Sequence, residues 1–207
     1  AENDRTVLFD IPIGLVLRHY KTDWWGEREP VWLDAPDYND PDPLDPYLEY
    51  VLNADVGGRL AIVNPFGSVL TQNKVALAFM WEEMERFTDA SQATIRAYFP
   101  EARRLRTTSA DEFPREEWVL KSDYGCEGEE VVIGPLVDDA LWQLSLEQAT
   151  PGRWIAQRFF KAADVGDGWI PNYGAYLIAG RFSGYFTRLS RRSTDYTSVA
   201  AATFVES

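Results

Sequence analysis

Trp118-Val119-Leu120-Lys121-Ser122-Asp123-Tyr124-Gly125-Cys126-Glu127-Gly128 carries an apolar strand into a lysine and then into a loop with two glycines. Period-two alternation puts Lys121 on the strand face of Val119, so its methylene stem can pack while its ammonium reaches the loop. Gly125 and Gly128 permit backbone conformations in which N–H groups face an anion. Val131-Val132-Ile133 again reads as a strand, which makes the loop a flap between strands and not the strand-to-helix loop of a Walker motif. A Gly-x-x-Gly spacing by itself describes many ordinary turns. Glu127, Glu129 and Glu130 flank this one, so an anion fits only if they turn outward or a divalent cation intervenes.

Upstream, Leu77, Met80, Trp81, Met84 and Phe87 recur at three- and four-residue steps, predicting an amphipathic helix from about Asn73 to Phe87. Ser91 to Tyr98 repeats the pattern and stops at Pro100. With Thr71 or Asn73 as cap, Lys74 falls in the first turn, where free N–H groups and the helix dipole already present positive charge. An anion bound there would remove the conflict, although an exposed lysine in water is the simpler reading of that residue alone. Before it come a turn cluster, Asn64-Pro65-Phe66-Gly67-Ser68, a buried strand over Leu60 to Val63, and a helix from Leu44 to Asn53 ended by Gly57-Gly58. Val7 to Phe9 and Gly14 to Tyr20 are β-type runs separated by Pro12. An aromatic patch at Trp24, Trp25 and Trp32 follows, and then a solvated Asp/Pro loop from Asp34 to Pro46, whose acids lack the central glycine of a calcium loop.

Downstream, Asp138 to Gln148 reads as a helix followed by Pro151-Gly152, and Trp154 to Phe160 as a strand. Tyr173 to Ile178 and Arg181 to Leu189 flank Ala179-Gly180 as a hairpin, with a last strand over Val199 to Val205. Arg188 lies on the second hairpin strand, followed by Arg191 and Arg192; this group either holds a phosphate or carboxylate through forked contacts or is charge that protects a strand edge. The expected class is α+β, with mixed, mostly antiparallel sheets and flanking helices. Residues 1–207 read as one unit with sub-lobes near 1–110 and 111–207.

Composition narrows the chemistry. Acidic residues number 33 against 20 basic, a net charge of −13, which repels nucleic acid and anionic membrane. No apolar run approaches the roughly 20 residues of a membrane span, and the expectation is a cytoplasmic protein. One cysteine, Cys126, leaves no internal disulfide or cysteine-rich zinc cluster, and one histidine, His19, leaves no multi-histidine centre. Cys126 reads as a small packed residue, since it has no assured basic partner.

In order, these segments resemble the ATP-grasp ligases, specifically the glutathionylspermidine synthase-like group with its circularly permuted arrangement. Asn64 to Lys74 with the helix through Trp81-Glu82 is similar to that group's asparagine-proline turn and asparagine-lysine helix start. Trp118 to Lys121 with the two glycines is similar to its lysine strand and flap, and Trp154-Ile155-Ala156-Gln157-Arg158-Phe159-Phe160 to its hinge strand beside adenine. The resemblance implies that Lys74 and Lys121 contact ATP phosphates, that Gly125 and Gly128 cover them, that Gln157, Arg158 and Phe159 meet the adenine, and that Arg188 steadies the transferring phosphoryl as the catalytic group. It implies ATP and Mg²⁺ as cofactors and a small-molecule carboxylate and amine as substrates, joined through an acylphosphate. The group's magnesium-binding Arg-x-Asp and Glu-x-Asn segments have no copy here, so no metal ligand is assigned, and the expectation is an incomplete unit whose remaining parts, magnesium ligands included, lie outside this chain. The alternative is a non-catalytic nucleotide-binding or protein-interaction module of the same fold.

Overall fold

The computed structural model describes residues 5–18, 45–107, 109–125, 128, 130–149, 151–191, 194 and 197–204. The chain divides into two compact units, Ala1–Asn73 and Lys74–Ser207. That division falls well before the sub-lobe boundary expected near residue 110, because the segment after Lys74 supplies a helix and an edge strand to the sheet of the second unit.

In the first unit, β1 (Val7–Leu8) and β2 (Ile11–Pro12) form a short antiparallel hairpin. Strand β3 (Leu15–Leu17) pairs in parallel with β4 (Ala61–Val63), and α1 (Asp45–Val56) lies on the connection between them. Helix α1 begins at Asp45, beside the expected start at Leu44, and runs past the expected end at Asn53; Pro46 in its first turn removes no helical hydrogen bond. Gly57 and Gly58 end it, with Gly58 at φ 68°. A short 3-10 turn, Phe66–Ser68, leads into α2 (Val69–Gln72). His19, Trp24, Trp25, Trp32 and the loop from Asp34 to Leu44 lie outside the described residues.

The second unit opens with α3 (Val75–Glu82) and continues through α4 (Asp89–Tyr98), whose Thr88 hydroxyl caps the Ser91 N–H at 3.3 Å. Then follow β5 (Ala102–Arg104), β6 (Trp118–Ser122), β7 (Val131–Ile133), α5 (Asp139–Gln148) and β8 (Trp154–Arg158). The strands form one antiparallel sheet in the order β5-β8-β6-β7. Its two faces have separate cores. Trp118, Leu120 and Ala156 pack with Trp142 and Leu146 of α5, while Ala102 and Ile155 pack with Val75, Ala78 and Trp81 of α3. Alternation therefore directs Val119, Lys121, Ile155 and Gln157 toward the α3 side.

Helix α3 stops at Glu82, earlier than expected, and Met84–Arg86 is a 3-10 turn. Glu82, Glu83 and Glu85 crowd negative charge at the negative end of the helix dipole, and Glu82 accepts from the Arg104 backbone N–H at 2.7 Å. Burial pushes the Glu82 carboxyl up, but its hydrogen bonds with Arg104 and the charges of Arg104 and Arg106 outweigh that and hold it below its usual range. Strand β5, Ala-Arg-Arg, has no apolar alternation to announce it.

The last elements are β9 (Ile170–Ile178), β10 (Arg181–Ser190) and β11 (Val199–Ala201), antiparallel in the order β11-β10-β9. Ala179 and Gly180 turn the hairpin with φ of 50° and 74°, the left-handed pair that matches strand twist. The pairing shifts between Phe182 and Gly184. Val205 lies outside the described residues.

Trp118 is 1% exposed and packs edge-on against Phe113 at 5.3 Å, with Arg158 and Arg103 over its ring at 4.4 and 5.5 Å. Trp118→Ala is expected to destabilise the second unit by about 3–5 kcal/mol in urea unfolding, against at most ~1 kcal/mol for Arg103→Met. Equal effects would mean that the ring is not a core residue.

Candidate functional site

Lys121 lies near the end of β6, with its neighbour on β8 supplying its acceptor. Its Nζ donates to Gln157 Oε1 at 2.9 Å, and Gln157 is 5% exposed. Register explains the contact: Val119 faces Gln157 and Lys121 faces Ile155, so the two polar side chains are diagonal on one sheet face.

Lys74 immediately precedes α3 in helical conformation and has no capping side-chain bond. Thr71 belongs to α2 and its hydroxyl donates to the Ser68 carbonyl at 2.9 Å, while Asn73 is extended. Instead the Lys74 N–H donates to the Asp123 carbonyl at 2.9 Å, and its Nζ donates to the Gly125 carbonyl. These bonds dock the start of α3 on the loop after β6.

The two lysines therefore come together. Burial, and then the positive charge of Lys74, lower the Lys121 ammonium below its usual range. Lys121 is bonded to a neutral amide, which offers no charge to offset that repulsion. An anion reaching both ammonium groups would.

Gly125 is needed for a tighter reason than a flexible flap. An added Cβ would overlap the Ser122 hydroxyl and sit 2.9 Å from the Glu130 Cβ. Its N–H donates to Ser122 Oγ at 2.9 Å, and the Ser122 hydroxyl donates to Glu130. The Gly125 N–H is thus already used within the loop. Gly128 adopts φ 84°, a left-handed conformation that favours glycine. Cys126, Glu127 and Glu129 lie outside the described residues.

The carboxylates beside the lysines are committed elsewhere: Asp123 pairs with Arg153 at 2.6 Å, and Glu130 accepts from Ser122. Among the described residues no group of three or more His, Cys, Asp or Glu side chains could hold a metal ion. What the described residues do bring together here is two ammonium groups.

Arg158 does not join Gln157. Its side chain projects to the opposite sheet face, where it stacks on Trp118, pairs with Glu101 at 3.4 Å and binds Glu117. The hydrogen bond that the Arg158 guanidinium donates to Glu117 is the main cause raising it above its usual range; burial opposes it, and Glu101 adds to it. Phe159, 37% exposed, donates its N–H to the Glu117 carbonyl at 2.7 Å. Arg188 stands on β10 of the other sheet, and no contact among the described residues joins it to either lysine. Arg191 is not part of a cluster with it: it donates to the Asp167 carbonyl and stacks on Trp169 at 4.3 Å. Arg192 lies outside the described residues.

Two features had no sequence signal strong enough to find them. In the first unit, Arg18 Nε donates to the Asn64 carbonyl at 2.8 Å and its Nη2 to Ser68 Oγ at 2.9 Å, with the guanidinium 4.8 Å from the Phe66 ring centre. Burial lowers its guanidinium from the ordinary value. At the far end of α3 from Lys74, a recess of about 550 Å³ is lined by Trp81, Glu82, Glu101, Arg103 and Arg104 among others. Its charges are largely paired with one another, Glu82 with Arg104 and Glu101 with Arg103, so it reads as a surface ion-pair network.

The family described as glutathionylspermidine synthase preATP-grasp matches residues 44–206, more than half of the chain. The chain belongs to this family. Its α+β architecture of small, mostly antiparallel sheets with five described α-helices is consistent with an ATP-grasp-like fold, and membership makes it ligase-related. A search of curated proteins finds no match. The matched stretch contains Lys74, Lys121, Gln157 and Arg188, whereas Arg18 lies before it. No helix among the described residues is long and apolar enough to cross a membrane.

Because Lys121 titrates below the value of a free lysine, the unfolded chain binds more protons between that depressed value and about 10.4. Stability is therefore expected to rise with pH across this window and to stay flat below it. Lys121→Met, which keeps the stem and removes the charge, is expected to abolish the rise and to lift the unfolding midpoint at neutral pH by about 2–4 °C. Urea titrations from neutral to alkaline pH check this; parallel pH profiles for the two proteins would show that Lys121 carries no such conflict.

Proposed function

We propose that this chain provides the phosphate-holding portion of an ATP-dependent ligase that joins a carboxylate to an amine. The observation that carries the reading is the meeting of Lys74 and Lys121, from a helix start and a strand end 47 positions apart, in surroundings where each raises the electrostatic cost of the other. In such a reaction the carboxylate oxygen attacks the γ-phosphorus and ADP leaves. The amine then attacks the acyl carbon, loses a proton, and expels phosphate to leave an amide. The protein contributes positioning and charge stabilisation. Lys74, held by the Gly125 carbonyl, and Lys121, held by Gln157, neutralise phosphate oxygens; Gly125 and Gly128 shape the covering loop. Phe159 offers an exposed ring for adenine beside the hinge, with Gln157 and the Arg158 backbone lining it, and Arg188 steadies the transferring phosphoryl. No step is assigned to a magnesium ion.

Calorimetric titration of the full chain with ATP tests the phosphate site. Lys74→Met and Lys121→Met are each expected to weaken binding at least about tenfold, the loss of one charge-assisted contact. Affinity is also expected to fall as pH rises through the depressed Lys121 value, because a bound phosphate favours the ammonium form. Unchanged affinity in the double variant would sink the proposal. The commitment of Asp123 to Arg153 and of Glu130 to Ser122 favours a second reading, a nucleotide-binding module without turnover. ADP release that requires both a carboxylate and an amine excludes that second reading.

A further inference from the structure

Lys121 is half-buried near the end of β6, flanked across the ladder by Val131 of β7 and Ile155 of β8. The polar groups around its ammonium leave its charge unbalanced. From β8, Gln157 accepts from Nζ at 2.9 Å through a neutral amide oxygen. From the start of α3, Lys74 adds a second positive charge, with its own Nζ donating to the Gly125 carbonyl. In the loop after β6, Asp123 pairs with Arg153 at 2.6 Å and Glu130 accepts from the Ser122 hydroxyl, so both carboxylates are committed. Burial, and then the Lys74 charge, favour the neutral amine at Lys121, and a neutral amine is a nucleophile. Two events remove the conflict: an anion binds, or the amine itself becomes one.

We infer that Lys121 is a carbamylation site, where the Nζ amine adds to carbon dioxide and is held as a carbamate by the Lys74 ammonium and the Gln157 amide. The nitrogen lone pair forms the N–C bond, one C=O electron pair moves onto oxygen, and one proton leaves the nitrogen for water. The products balance as a carbamate anion and a proton. The N–H that remains still donates to Gln157 Oε1, so the existing bond survives the reaction. A carbamate oxygen accepts from the Lys74 ammonium, and two like charges become an opposite-charge pair. Carbon dioxide is small and uncharged, so the net charge of −13 does not repel it. The consequence for activity rests on the ligase reading above: a carbamate puts negative charge where a nucleotide phosphate would sit, so carbon dioxide competes with ATP. The modification itself does not depend on that reading.

The test equilibrates the full chain, without nucleotide, with ¹³C-labelled bicarbonate and dissolved carbon dioxide near neutral pH. Carbamate is then trapped by O-ethylation with triethyloxonium ion and located by peptide mass mapping. Label is expected on Lys121 at about tenfold or more the level on Lys161, which is exposed. Lys74→Met is expected to lower the Lys121 label about tenfold, because the carbamate loses its cation, and Lys74→Arg, which keeps the charge, to restore most of it. No label on Lys121, equal label on Lys121 and Lys161, or an unchanged level in Lys74→Met overturns the inference. Calorimetry with ATP, with and without carbon dioxide, reads the competition: affinity is expected to fall about tenfold with carbon dioxide in the native chain and to be indifferent to it in Lys121→Met. Native affinity that ignores carbon dioxide while Lys121 carries label overturns the competition. Absence of ATP binding in solution free of carbon dioxide sinks the ligase reading instead, and the trapping result is independent of it.

Discussion

The start of α3 is tied to the loop after β6 by one residue. Lys74 gives its backbone N–H to Asp123 and its ammonium to Gly125, so a helix terminus, a strand end and a glycine position fix one another. The loop is equally constrained from its other side: the Asp123 N–H donates to the Arg153 carbonyl at 2.7 Å, its carboxylate pairs with Arg153, and the Ser122 N–H reaches Glu130 at 3.2 Å. Gly125 admits no side chain at the crossing point. Glycine here serves close packing and not flexibility, and Lys74 is a structural strut.

The sheet behind the loop explains why only some hinge residues face the lysines. Its two faces are filled independently, α5 with Trp118 and Leu120 on one, α3 with Ile155 and Ala102 on the other. Because alternation is strict across β6 and β8, Gln157 and Lys121 meet while Arg158 is sent to the Trp118 side. There it does structural work, covering an indole and bridging Glu101 and Glu117. Adjacent residues of one motif thus belong to different layers of the protein, and a side-chain role for both at one ligand is incompatible with the pleat.

What was legible in the sequence follows from range. Strand β7, helix α5 and the Ala179-Gly180 turn depend on local alternation, capping and φ preference, and each lies where those signals put it. The lysine strand and its face were legible for the same reason. Strand β5 was not, since three residues with two arginines form a strand only through pairing with β8, far along the chain. The end of α3 was misread because period alone carried it to Phe87, while the acidic run and the Arg104 contact end it at Glu82. Cross-chain contacts such as Arg18 to Asn64 have no local signature; an arginine closing an apolar strand was the only hint. The proximity of Lys74 to Lys121 came from the ordered resemblance of several motifs, as no spacing rule links them.

The charge balance makes that proximity more telling. A chain with net charge −13 repels a nucleotide at long range, but beyond about 8 Å salt screens most of that field. Recognition then depends on what the anion meets at contact. Two ammonium groups held close, one of them half withdrawn from water, repel each other, and a ligand that bridged both would relieve that repulsion. Lysine differs from arginine here: its pKa yields to burial, and burial together with the charge of Lys74 lowers that of Lys121. A buried lysine kept beside a second one is the pattern expected when stability is traded for a site.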